Sequence, residues 1–427
     1  MVIHIVKSGD TLYNISNFYG VPIEKLVLDN QISTPNKLAI GQNIVIDVDK
    51  INYTVKNGDT LYKISKMFDI PLSDIIESNP EITNPNALNV GQVVIIPLPN
   101  KEFGNIEVNG YAIANINEQV LNKTLPYLTY LAIFSYQAKE DGSMYLLYET
   151  NLIEKARAKN VAPLMVVTNI GGSGGFDSDI AHSILTNELA QTTLINNILN
   201  TLSTKNYYGV DIDFEYIYPY DKESYMQFLK RLNTELKKNN YYLSVAVAPK
   251  YRENQTGLLY EAHDYKQIGE IADRVIIMTY EWGYMYGPPM AISPYDQVKQ
   301  VLAYAVTAIP SNKILMGMPN YAYDWTYPYS PNNPATTLTN VNAVNLAIEK
   351  GATIYFDKTA KAPYFNYVDN LNKKHIVWFD NAESTYERLK LVDKFKLAGV
   401  SYWTINNFFN QNWLVLNSMF NIKKIEN

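Results

Sequence analysis

At 427 residues, 47% hydrophobic and 18% charged, the chain is long enough for two or three domains and too apolar to be disordered. Lys and Arg total 36 against 42 Asp and Glu, a net charge of −6 without a dense basic run, which argues against nucleic acid or an anionic membrane as the main partner. With no cysteine, disulfides, thiolate metal sites and a cysteine nucleophile are excluded, and four scattered histidines (His4, His182, His263, His375) offer no pattern for a metal site. No apolar run approaches the roughly 18 residues of a membrane span. The opening "MVIHIVKSGD" enters a domain pattern at once, so no signal peptide is expected. The 35 tyrosines and 5 tryptophans suit sugar-stacking surfaces, although core and barrel-rim packing is the commoner use of such residues.

The first hundred residues repeat. "YTVKNGDTLYKISKMFDIPLSDIIESNPEI" (53–82) aligns with "HIVKSGDTLYNISNFYGVPIEKLVLDNQIS" (4–33), and "NALNVGQVVIIP" (86–97) with "NKLAIGQNIVID" (36–47). Each unit reads strand, Gly-Asp-Thr turn, helix, helix, strand. Thr11 and Thr60, or the aspartates before them, are candidate N-caps, and Leu12/Ile15 and Leu61/Ile64 begin an apolar helical face. One "GDTL" would mark only a helix start. Two copies, with matching Asn30/Asn79 and Gly-Gln pairs at 41–42 and 91–92, resemble LysM domains. That resemblance implies a shallow groove for N-acetylglucosamine-containing glycans. Its walls would be Gly9, Asp10, Thr11, Asn30, Gln31 and Ile32 in the first unit. In the second they would be Gly58, Asp59, Thr60, Asn79, Pro80, Glu81 and Ile82.

"PLPNKEFG" (97–104) reads as a semi-rigid hinge. Beyond it, near-continuous apolar strands alternate with helical stretches: 106–113, 128–135, 161–167, 208–215, 243–249, 274–280, 314–319 and 399–405. This is the pattern of a parallel (β/α)8 TIM barrel, of α/β class. The gap before the last strand is too wide for one helix and holds strand-like pieces, so a small α+β insertion is expected at about 336–382 between strands 7 and 8. The expected domains are 1–49 and 50–98, a linker at 99–105, and the barrel at 106–427.

Within the fourth strand, "YYGVDIDFEY" (207–216) sets Asp211, Asp213 and Glu215 at alternate positions, with Val210, Ile212 and Phe214 between them. Residues i, i+2 and i+4 of a strand share a face. An exposed antiparallel strand with an acidic outer side would give the same letters. In a parallel barrel no strand face is exposed, so the acids would point inward and Glu215 would sit at the C-terminal end, where barrel active sites lie. Three confined carboxylates repel one another, so at least one keeps its proton at neutral pH. A proton on Glu215 is what a general acid requires.

"YGVDIDFEY" resembles the D-x-x-D-x-D-x-E signature of family 18 glycoside hydrolases, with Tyr208 in place of the first Asp. "NGYAIA" (109–114), "TNIGG" (168–172, with Asn169 differing), "MTYEW" (278–282, with Glu281 for Asp) and "YWTI" (402–405) resemble the family's other strand-end motifs. The resemblance implies that Glu215 protonates the leaving oxygen while the substrate's own 2-acetamido oxygen attacks C1. Asp213 would orient the acetamido N–H, Asp211 would share a proton with Asp213, and Tyr280 would bond the acetamido oxygen. Tyr111, Asn169, Gly171, Gly172, Glu281, Trp282 and Trp403 would bind substrate, Trp403 as the floor. No metal or cofactor is implied.

Glycan-binding repeats joined to such a barrel resemble the spore cortical-fragment-lytic enzymes. That implies an N-acetylglucosaminidase acting on cortex peptidoglycan, made in the mother cell and deposited on the spore; a monomer is expected. A chitinase, a catalytically silent lectin and a structural coat protein are the alternatives.

Overall fold

The computed structural model describes residues 1–85, 87–98 and 100–425. Each repeat is one antiparallel strand pair crossed by two short helices. In the first, β1 (Val2–Ile5) pairs with β2 (Asn43–Ile46) around α1 (Leu12–Tyr19) and α2 (Ile23–Asp29). In the second, β3 (Lys50–Thr54) pairs with β4 (Val93–Pro97) around α3 (Leu61–Phe68) and α4 (Leu72–Glu77). The threonines are the N-caps: Thr11 accepts from the Asn14 amide and Thr60 from the Lys63 amide, both at 3.1 Å. Asp10 and Asp59 instead close the preceding turn, each accepting a backbone N–H at 2.7 Å from Lys7 and Lys56. The two repeats share one core, with Phe18 stacked on Phe68 and edge-on to Tyr53.

Eight parallel strands follow: β5 (Asn105–Ile113), β6 (Tyr130–Gln137), β7 (Ala162–Thr168), β8 (Gly209–Asp213), β9 (Tyr242–Val247), β10 (Arg274–Ile277) and β11 (Ile314–Pro319), with the eighth at Gly399–Trp403. Pairing of the eighth strand with β5 closes the barrel. Strand alternation divides the side chains. Val210, Ile212 and Phe214 join the large core beneath the surrounding helices, whereas Tyr111, Leu164, Ala246 and Ile276 fill the interior. At the closed end Glu107 is gripped by Arg274 through two 2.7 Å bonds and by Lys423 at 2.9 Å. This leaves the opposite, C-terminal end to form a site.

The insertion starts earlier than the expected 336. Directly after β11 the chain enters β12 (Ala322–Thr326), which is followed by β13 (Thr336–Leu338), β14 (Tyr355–Asp357), β15 (Ala362–Val368) and β16 (Lys374–Trp378) in an antiparallel sheet of order 13-12-16-15-14. β12 follows the barrel strand after only Asn320 and Tyr321, so the two read as one segment. The barrel's eighth strand is therefore β17.

The first repeat does not hang from a hinge. Gln31 donates to the Phe408 carbonyl (3.1 Å) and accepts from the Asn410 amide (2.7 Å). Gln411 donates to the Asn30 side chain (2.9 Å) and the Asn43 carbonyl (2.8 Å), and Ile354 N–H donates to the Ile40 carbonyl (2.8 Å). Residues 101–104 are tied down too: Lys101 and Phe103 donate to the carbonyls of Ser418 and Met419 at the end of the last helix, and Phe103 packs on Phe420. Pro99, within the expected linker, lies outside the described residues.

The second repeat supplies an internal control. Gly41 and Gly91 occupy equivalent turns with φ of 84° and 86°, so alanine costs both about 1–2 kcal/mol of left-handed strain. A Cβ on Gly41 would also meet the Ile354 carbonyl oxygen at 1.9 Å, while nothing lies within 4 Å at Gly91. Gly41→Ala is therefore expected to lower the melting temperature more than Gly91→Ala. Equal shifts in thermal melts would show that the docked contact adds no stability.

Candidate active site

A cavity of about 500 Å3 opens at the C-terminal end of the barrel. Seven of the eight strands send residues to its wall. Tyr111 comes from β5, Phe134 from β6, Ile170 and Phe176 from the loop after β7, and Asp213 and Glu215 from β8 and just beyond it. Pro249 follows β9, Met278, Tyr280 and Glu281 follow β10, and Trp403 ends β17. Three acids line this cavity, and no lysine, arginine or histidine does.

The acids differ in surroundings. Asp211 is fully buried and accepts from the Ser244 hydroxyl at 2.5 Å and the Tyr111 hydroxyl at 2.6 Å. Burial raises its pKa above the usual carboxylate range, and those two donors oppose the rise. Asp213 is buried with its Oδ1 lacking any partner. Burial, then the charges of Glu215 and Asp211, push its pKa well above the ordinary value. The two Asp211 oxygens accept from Ser244 and Tyr111. Glu215 reaches the cavity, yet dense protein surrounds it, and this desolvation, reinforced by Glu281, raises its pKa to about 7. Burial, followed by the nearby Asp213 and Glu215, holds the Tyr280 phenol well above its normal range, so it stays a donor.

Other expected site residues are placed differently. Glu281 lines the cavity with a left-handed backbone (φ 66°) and accepts from the hydroxyls of Tyr321 and Tyr323 (3.1 Å from the latter), next to and within the insertion's first strand. The extra methylene relative to Asp thus delivers the carboxylate to these tyrosines. Trp403 lines the cavity with its ring edge-on to Tyr111 (5.5 Å) and Phe134 (4.8 Å). Trp282 turns away, donating its indole N–H to Tyr251 at 2.6 Å and packing on the core. Gly171 and Gly172 form a turn outside the cavity wall, with a Cβ on Gly171 meeting Asp177 at 2.9 Å. Asn169 is fully buried and bonds the backbone of Glu215 instead of facing the cavity. Phe134, Phe176, Leu259 and Tyr284 also line the wall without a sequence signal, since most of them stand on loops with no period.

In the repeats, Gly9, Thr11, Gly58, Thr60, Pro80 and Glu81 are exposed, with Asp10 and Asp59 partly so. Ile32 and Ile82 are buried core residues. Asn30 and Asn79 are buried clips: each side chain bonds both backbone groups of one strand residue, Val45 or Ile95, at 2.6–3.0 Å. Gln31 is spent on the barrel.

A closed parallel barrel carrying a buried acid triplet at the end of its fourth strand, with a tyrosine and a tryptophan across the cavity, defines a class. The family model for glycosyl hydrolases family 18 matches residues 107–407, and that for the LysM domain matches residues 4–47 and 53–97. The chain belongs to glycosyl hydrolase family 18 and is a glycosidase with two LysM domains. It is 38% identical to the cortical fragment-lytic enzyme of Bacillus subtilis (strain 168), over 99% of both chains. Two solved structures are similar over almost the whole chain. The spore cortex-lytic enzyme SleL of Bacillus megaterium QM B1551 superposes with a TM-score of 0.89 at 39% identity, covering 99% of this chain and 98% of that one. SleL of Bacillus cereus gives 0.86 at 37%, covering 100% and 99%.

The titration of Glu215 can be followed by carbon-13 NMR of labelled glutamate. A midpoint of about 7 is expected in the folded protein. Glu281→Gln removes a neighbouring negative charge, which makes ionisation easier, so the midpoint should move to lower pH. A midpoint unmoved by Glu281→Gln would mean that burial alone sets it.

Proposed function

We propose that the protein is a retaining N-acetylglucosaminidase that hydrolyses spore cortex peptidoglycan fragments. The observation that carries the reading is the pairing of a protonatable Glu215 with Asp213, whose buried oxygen has no partner, in a cavity that lacks cations. A buried acceptor without a donor is costly, about 1–3 kcal/mol, and a substrate N–H relieves it. In this reading Glu215 gives its proton to the glycosidic oxygen as the C1–O bond breaks. The acetamido oxygen forms the new bond to C1, and its N–H donates to Asp213 as positive charge grows on the ring so formed. Tyr280 donates to the acetamido oxygen and Trp403 supports the sugar. Water then attacks C1 from the face the leaving group vacated, breaking the bond from C1 to the acetamido oxygen and losing its proton to Glu215, so two inversions give retention.

The charge of the wall narrows the substrate. Muramic acid with a free lactyl carboxylate would meet Asp213, Glu215 and Glu281 with no cation to compensate. In the muramic δ-lactam that carboxylate is consumed, and the sugar is neutral. The lactam's nitrogen acyl group is tied back toward C3, however, so it cannot attack C1. N-acetylglucosamine therefore fits the cleaved position and the lactam the leaving side. Full-length similarity to cortical fragment-lytic enzymes supports this assignment and a role at the spore, and the LysM domains support peptidoglycan or related N-acetylglucosamine glycans as the partner.

Glu215→Gln is expected to fold normally and lose about 10²–10⁴-fold in turnover. Borohydride reduction of a cortex digest followed by acid hydrolysis should yield glucosaminitol, and NMR of the first product should show the β anomer. Predominant muramicitol or an early α anomer would sink the mechanism. Faster turnover of chitin fragments than of cortex fragments would make the enzyme a chitinase.

A further inference from the structure

The acid stands just past the end of its strand, and its backbone there is held by side chains. β8 stops at Asp213, and its pairing with β9 ends at Ile212↔Val245. Phe214, Glu215 and Tyr216 therefore have no neighbouring strand for their peptide groups. Free backbone groups at such a point leave a segment loose, because nothing else fixes its dihedral angles.

Three residues from three other elements replace the missing ladder. Asn169, one residue beyond β7, accepts the Glu215 N–H at 3.0 Å and donates to the Glu215 carbonyl at 2.9 Å. Its amide also donates to the Asp177 carbonyl at 2.9 Å, which fixes the side chain's own orientation. His263, fully buried, accepts the Ala248 N–H at Nδ1 (2.9 Å). An amide N–H can only donate, so the imidazole proton is on Nε2, where it is given to the Phe214 carbonyl at 3.1 Å. Burial lowers the pKa of His263 to about 4, so the ring keeps this neutral form through the range in which the acid titrates. Ser178, the first residue of the helix Ser178–Thr186, donates to the Tyr216 carbonyl at 2.5 Å. Tyr216 itself has a left-handed backbone, φ 54°, a conformation that persists where neighbours enforce it.

We infer that Asn169, His263 and Ser178 are positioning residues that clamp the Phe214–Tyr216 backbone and so aim the Glu215 carboxyl at the scissile oxygen. The inference rests on the reading of Glu215 as the proton donor. None of the three faces the cavity, and each acts through the peptide it holds. The clamp also accounts for asparagine at 169. A serine hydroxyl is too short to grip both the N–H and the carbonyl of one residue, whereas a carboxamide has a donor and an acceptor side by side.

Misplacement of a reacting group by about 1 Å can cost ~10²-fold. On soluble cortex fragments Asn169→Ala should lower kcat by about 10–10²-fold with KM unchanged. Ser178→Ala should lower kcat several-fold with an unchanged melting temperature, and Ser178→Thr, which keeps the hydroxyl, should restore it. The alkaline midpoint of the kcat profile should stay near that of the wild type in all three, because no charge near Glu215 has changed. If Asn169→Ala does not fold, the serine pair decides. Wild-type kcat in Ser178→Ala, or equal losses in the alanine and threonine variants, overturns the clamp. Full activity in Glu215→Gln would instead remove the reading on which it rests.

Discussion

The constraint on which the rest of the structure depends is the burial of four carboxyl groups, Asp211, Asp213, Glu215 and Glu281, at one end of a barrel with no cation beside them among the described residues. Burying an unpaired charge is expensive, and a second and third like charge make it more so. That cost shows in the raised pKa of all four acids, and hydroxyls of Tyr111, Ser244, Tyr321 and Tyr323 offset part of it at Asp211 and Glu281. Among the described residues, Asp213 and Glu215 receive no such side-chain donors, and both line the cavity. The closed end solves the same problem in the opposite way, with Arg274 and Lys423 neutralising Glu107 outright. One end of the barrel holds a paired carboxylate, and the other holds acids without a cation, with Asp213 Oδ1 left unpartnered.

That division of labour was partly legible in the sequence. The strands of the barrel showed as continuous apolar runs because each is covered on both faces. The acids broke that pattern in strict alternation, and alternation fixes a face, so Asp213 and Glu215 could be assigned to the interior. The motif letters at Asn169 and Trp282 carried no such information. Both lie just past strand ends, where period two lapses and the next hydrogen-bond partner decides the side chain's direction. Asn169 turned to the Glu215 backbone and Trp282 to Tyr251. Neither partner is near in sequence, and no local rule names it.

The two repeats show the same limit at the scale of domains. Their shared pattern specified two similar folds, whereas the buried role of Asn30 and Asn79 as clips on the neighbouring strand came only from the structure. Which of them would be bolted to the barrel was written only in the positions where they differ. Asn43 is buried against the barrel's helices where Val93 is exposed, and Ala39 is buried where Asn89 is exposed. An asparagine inside a strand, with its side chain accepting the Glu383 N–H at 2.9 Å, is unremarkable in sequence until the facing helix is known.

The docking ties the glycan-binding region to the catalytic end. The loop that leaves Trp403 is pinned by Asn320, which donates to the carbonyls of Thr404 and Asn407 at 2.8 Å, and by Asn406, which holds both backbone groups of Ile113. The next residue along, Phe408, is held by Gln31 of the first repeat. A short segment with hydrogen bonds at Thr404, Ile405, Asn406, Asn407 and Phe408 therefore runs from Trp403 at the cavity wall to the first repeat. Each of these bonds contributes only about 1 kcal/mol. Because they act on consecutive residues, they hold the first repeat at a set distance from the tryptophan. A mobile tether would raise local concentration alone. The first repeat is instead held in a fixed position relative to Trp403.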